Sequence, residues 1–215
     1  MRVPAWRWGA ELVGLVFLLA TGPWGATAEP CDLDEDDSRW YVNSVSEVEE
    51  LATAMNCSEG TFEIEWTGAW LLRAPFVIGK GTALTLVGNG PGAVLAGNAT
   101  RLIEMGPDSE LFLRDVELVN GSASSGSGGA ILALGAGISI EAVRVNFTNN
   151  QAEEAPGGDG GAISAPGPGA TVTLHECQLD GNTAARNGGA MHVDGPWSNL
   201  SVNASWFGNN TALAG

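Results

Sequence analysis

Apolar residues recur in period-two pairs along much of this chain. Ile131 and Ala133 flank Leu132, Ile163 and Ala165 flank Ser164, and Met191 and Val193 flank His192. Further along each stretch stand Ile140 and Ala142, Val172 and Leu174, Leu200 and Val202. Then come Val145 with Phe147, Cys177 with Leu179, and Ser205 with Phe207. Such alternation marks short strands with one face inward. The blocks also repeat. Gly128-Gly129-Ala130-Ile131 returns as Gly160-Gly161-Ala162-Ile163 and Gly188-Gly189-Ala190-Met191, at spacings of 32 and 28. Nineteen residues after each first Gly begins Phe147-x-x-Asn150, Leu179-x-x-Asn182 or Phe207-x-x-Asn210. Ala152, Ala184 and Ala212 follow, and length varies only between that Ala and the next Gly pair. A rigid body with one variable loop is how a solenoid coil behaves. The pattern predicts an all-β chain, a right-handed parallel β-helix with three short strands per coil.

The Gly pair suits a turn needing positive φ or close approach to the next coil. Asn150, Asn182 and Asn210 suit a ladder, their amides bonding one another and the turn backbone along the stack. An imperfect coil comes before, in which Leu111, Leu113, Val116, Leu118 and Ala123 fill the same columns and Gly121 replaces the Asn. Earlier short strands are expected at 62–66, 76–78, 84–86, 94–95 and 102–103. Residues 45–57 differ: Val45, Val48, Leu51, Ala52 and Met55 have helical spacing, and Ser46 with Glu49 forms a capping box. A short helix there would cap the first coil. The β-helix is thus expected over 45–215, with its clear repeats at 128–212.

The GGAI and FxxN signatures resemble the repeat of the polymorphic membrane proteins of chlamydiae, and the wider pattern resembles pectin-lyase-type β-helices. The resemblance implies an extracellular β-helix with a role in adhesion. In that family a C-terminal barrel displays the β-helix. Here the phase breaks off at Gly215, where another Gly pair is due, so further coils or another domain are expected downstream.

The ends and composition add an address. Arg2 and Arg7, the apolar run Leu12–Ala20, and Ala26-Thr27-Ala28 make a secretory signal over 1–28, followed by an acidic linker at 29–44. Nine apolar residues are too few to span a bilayer, which needs about 20, and no later segment reaches that length. Cleavage would change the net charge from −16 to −17, since two Arg and one Glu leave. That acidity, with no Lys/Arg patch, excludes a nucleic-acid partner. Cys31 and Cys57 bracket the N-terminal segment and are expected to pair, free thiols or pairing with another chain being the alternative. Seven sequons, at Asn56, Asn98, Asn120, Asn146, Asn199, Asn203 and Asn209, point to a glycosylated secretory protein.

Catalytic candidates are sparse. Pectin-lyase-like enzymes use clustered carboxylates with a basic residue, or carboxylate pairs at controlled separation. Asp159, Asp180 and Asp194 have no Asp partner one coil away, and they read as solvated turn carboxylates. Arg144 reads as lying in another column from Arg114 and Asp115. His175 and His192 sit outward on different strands, and Cys177 falls in an inward column. No catalytic, cofactor or metal residues are assigned. The expected role is noncatalytic, in adhesion, extracellular binding or structure, with glycans or cell-surface proteins as partners. The alternative is a carbohydrate-active enzyme whose catalytic set is incomplete here. Trp197 and Trp206, with Trp206 outward beside inward Phe207, read as ordinary packing or stacking on a further coil, with stacking on sugars or a subunit contact as the alternatives.

Overall fold

A computed structural model describes residues 60–124, 126–153 and 157–214, together with the backbone of 14–15 and 39–41. The chain winds as an all-β parallel solenoid of about five turns. Each turn visits up to four sheets. Sheet I holds Thr61–Trp66, Ala83–Gly88, Glu110–Arg114, Ser139–Val143, Thr171–His175 and Asn199–Asn203. Sheet II holds Ala69–Leu72, Val94–Gly97, Glu117–Val119, Asn146–Thr148, Gln178–Asp180 and Trp206–Gly208. Sheet III begins only at Ser122–Ala123 and continues with Gln151–Ala152, Thr183–Ala184 and Thr211–Ala212. Sheet IV holds Phe76–Ile78, Ile103–Met105, Ile131–Ala133, Ile163–Ala165 and Met191–Val193. Upstream, Arg39–Tyr41 pairs with sheet I and Gly14–Leu15, inside the predicted leader, with sheet II.

Sheet III adds a fourth, two-residue strand to the three expected per coil. Two residues carry no period, so only the recurring Ala hinted at it. The capping helix expected at 45–57, the Cys31–Cys57 pair, the acidic linker and Asn56 lie outside the described residues.

Register carries the core. Phe62, Leu84, Leu111, Ile140, Val172 and Leu200 are partners in one column of sheet I. Leu95, Leu118, Phe147, Leu179 and Phe207 form one in sheet II. Parallel pairing in register puts every inward side chain on its counterpart, giving a narrow dry stack. Burying each such Leu, Ile or Phe contributes roughly 2 kcal/mol. On the last coil the same columns lie open, with Leu200, Val202 and Phe207 at 46%, 43% and 42% exposure.

The two glycines of each pair do different work. Gly128, Gly160 and Gly188 have φ of 67°, 66° and 60°, and a Cβ there would run into the carbonyl of Ile131, Ile163 or Met191, three residues on. Gly129 and Gly161 instead press against the coil above: a Cβ on Gly161 would strike the Gly189 carbonyl and the Thr183 amide. The first folds the turn over its own strand and the second lets coils stack.

Candidate functional site

Three polar stacks run along the solenoid, their members one coil apart, and they bring together the ladder Asn, Asp159, Asp115 and Arg144. The deepest follows sheet II. Asn150 and Asn182 are fully buried. The Asn150 side-chain amide donates to the Leu118 carbonyl and to Asn182 Oδ1, each at 3.0 Å. Asn182 repeats this with the Phe147 carbonyl at 3.0 Å and Asn210 Oδ1 at 2.9 Å, and Asn210 donates to the Leu179 carbonyl at 2.8 Å. Each Oδ1 also accepts the backbone N–H of the residue one coil below: Gly121, Asn150 and Asn182 in turn. The acceptors Leu118, Phe147 and Leu179 are themselves register partners, so one bonding pattern is copied at every coil. Gly121 ends the ladder because a Cβ there would press on Asn150 Oδ1 and the Gly129 carbonyl.

A second stack precedes the Gly pairs, and it corrects the reading of Asp159 as a solvated turn carboxylate. Asp159 is 5% exposed. Its Oδ1 accepts from Arg186 Nε at 2.8 Å and from Asn187 N and Nδ2 at 3.0 and 2.9 Å, while its Oδ2 accepts from the second arm of Arg186. Its own N–H donates to Ser127 Oγ at 3.2 Å. Ser127, Asp159 and Asn187 each stand just before a Gly pair, so they share a column. The Arg186 hydrogen bond, chiefly, holds the Asp159 carboxyl below its ordinary range and raises the guanidinium. The partner of Asp159 is not a second Asp but the Arg186-Asn187 dipeptide one coil on.

The third stack sits at the exposed corner between sheets I and II. Val143 pairs with Arg114, so Arg144 stands over Asp115, in that residue's own column. The two make a two-pronged ion pair at 2.6 and 2.7 Å, which lowers the Asp115 carboxyl and raises Arg144. Glu176 and Ala204 occupy the same left-handed corner in later coils, at φ of 54° and 49°.

The remaining candidates stay apart. His175 ends a sheet I strand and meets Glu176 at 3.2 Å, while His192 lies in sheet IV. Ser164 is the register partner of His192, and both Ser164 Oγ and His192 Nδ1 are buried without a hydrogen-bond partner. Asp159 is near enough for His192 to lower its pKa slightly. Ser164 is 1% exposed, close beneath the Gly160 turn. Burial pushes the Cys177 thiol up, and its Sγ donates to the Ala142 carbonyl at 3.2 Å. Among the described residues no group of three or more His, Cys, Asp or Glu is placed to hold a metal ion, and no helix is long and apolar enough to cross a membrane.

Sequon positions differ in access. Asn98, Asn120, Asn199, Asn203 and Asn209 are exposed, while Asn146 is half-buried within a sheet II strand. Trp197 is 90% exposed and Trp206 51%, both outside the core columns.

Residues 144–166 match the Chlamydia polymorphic membrane protein (Chlamydia_PMP) repeat. The matched stretch runs from the Arg144 corner through the Asn150 ladder and the Asp159 turn to the Gly160-Gly161-Ala162-Ile163 strand. Comparison with curated proteins and with solved structures finds no match. Over residues 144–166 the chain thus carries one polymorphic membrane protein repeat, set within a parallel β-solenoid of about five turns.

Proposed function

We propose that the protein is an exported, noncatalytic β-solenoid serving as an adhesive or binding scaffold at a cell surface or in the extracellular space. The division between inner and outer columns carries this reading. Residues shared from coil to coil point inward or build turns: the Gly pair, the ladder Asn, the Leu or Phe before it and the Ala after it. The outward positions change at every coil. One column of sheet II reads Val94, Glu117, Asn146, Gln178, Trp206. One of sheet I reads Glu63, Thr85, Phe112, Glu141, Thr173, Ser201. A constant frame under a freely varying face suits recognition, because new contacts cost the fold nothing.

The repeat family supports a surface location, and the leader supports export. Export also permits the Cys31–Cys57 disulfide, which reductive mass spectrometry would reveal. Glycans or cell-surface proteins are the partners this face fits. The test pairs a glycan array and a cell-binding assay with a turnover assay on pectin and alginate. Saturable binding without product is the expected result. Release of reducing or unsaturated ends would favour a carbohydrate-active enzyme and sink the scaffold reading.

A further inference from the structure

Among the described residues, the one exposed indole on the outer face of sheet II stands three residues before a sequon. Trp206, Gly208, Asn209 and Thr211 belong to the stretch Trp206-Phe207-Gly208-Asn209-Asn210-Thr211. Trp206 and Gly208 share the outward side of one strand. The six-membered ring of the indole lies where a side chain of residue 208 would be: a Cβ on Gly208 would run into its Cη2 and Cζ2. Glycine therefore gives the ring its bed, and the ring stays 51% exposed. Below Gly208 in register is Asp180, and Asp180 Oδ1 accepts a hydrogen bond from Asn209 Nδ2 at 2.8 Å. The indole, the carboxylate and the sequon amide thus converge on one spot. Asn209 is exposed at a left-handed corner with φ of 52°.

We propose that Asn209 carries an N-linked glycan whose first N-acetylhexosamine lies on the Trp206 ring. Once linked, Nδ2 keeps one hydrogen, enough to hold Asp180 and so fix the direction in which the sugar leaves. The apolar C–H face of a pyranose meets the electron-rich ring face. Asn120 supplies the internal control: it occupies the same corner column at φ of 53° and is exposed, but Glu117 stands three residues before it. The inference rests on the export reading above.

The test is the full chain, secreted through its own leader from a eukaryotic host, with occupancy mapped site by site by mass spectrometry. Asn209 is expected to be occupied. Trimming the glycans to a single sugar should preserve the melting point, whereas complete removal should lower it by about 2–4 °C. Thr211→Ala should give that loss alone, and Trp206→Ala should abolish the difference between sugar-bearing and bare chains. Trp206→Phe should keep part of it, and removing the Asn120 sequon with Ser122→Ala should give none. A secreted chain bare at Asn209, or a loss that persists in Trp206→Ala, overturns the proposal and leaves the surface reading standing. A chain retained inside the cell with its leader uncut overturns both.

Discussion

The Asn ladder and the Asp115–Arg144 corner stack polar groups at the same coil spacing, yet only one of them is buried. Asn182 is fully enclosed and its amide serves two coils at once. Asp115 and Arg144 face water, with side chains 40% and 47% exposed, although their bonds are shorter. Hydrogen-bond length is therefore a poor guide to what holds this solenoid together. Losing a buried partner orphans groups that water cannot reach, while losing an exposed one hands its partner back to solvent. The Asp159 turn lies between them, a buried carboxylate held by an Arg whose outer side is wet.

The comparison breaks most severely where coil meets coil. Gly161→Ala should cost about 4 kcal/mol or more, or prevent folding, because its Cβ would meet backbone rather than a movable side chain. Thermal unfolding of the secreted chain checks this, and a near-normal midpoint would mean that coils slide apart easily. Asn182→Leu should cost about 3–4 kcal/mol, since it removes the acceptor of the buried Asn150 backbone N–H, one of the two acceptors of the Asn150 side-chain amide, and the side-chain donor to the Phe147 carbonyl. Asp159→Asn should cost about 2 kcal/mol at pH 7, and the penalty should depend on pH. The folded carboxyl titrates below its unfolded value near 3.9, so its contribution is complete above about pH 4 and fades as pH falls toward the folded value. Urea titrations at pH 7 and pH 3 should show the wild-type advantage shrinking; an equal gap at both would rule out the charge as its source. Smallest is Asp115→Asn, at most about 1 kcal/mol and reduced further by salt.

The inward columns and the ladder were legible because their signals are local and repeated: period two, a Gly pair, an Asn at fixed phase. Trp206 could be placed outward from its neighbour Phe207 alone. The Asp159 and Asp115 pairs were not legible in the same way. Each joins residues of different type across 27 to 29 positions, through turns whose length varies, and a column assignment wrong by one residue separates Arg144 from Asp115. The sheet III strands and the Ala69–Leu72 strand were missed for a related reason, since two residues or an unbroken apolar run show no alternation. Burial of Ser164 was also hidden: alternation puts it outward, whereas the Gly160 turn folds back over its strand, with Leu132 and His192 its register partners on either side.

The claim that inner columns make the fold while outer columns are free is tested most directly by exchanging outer residues between coils. Thr171→Ser, His175→Val and Gln178→Asn give the fifth coil the residues found at Ser139, Val143 and Asn146 one coil below. Urea unfolding of the triple variant should match wild type within about 0.5 kcal/mol, the range of substitutions away from core and turns. A loss comparable to that of Asn182→Leu would show that the outer face is part of the frame, and would contradict the account.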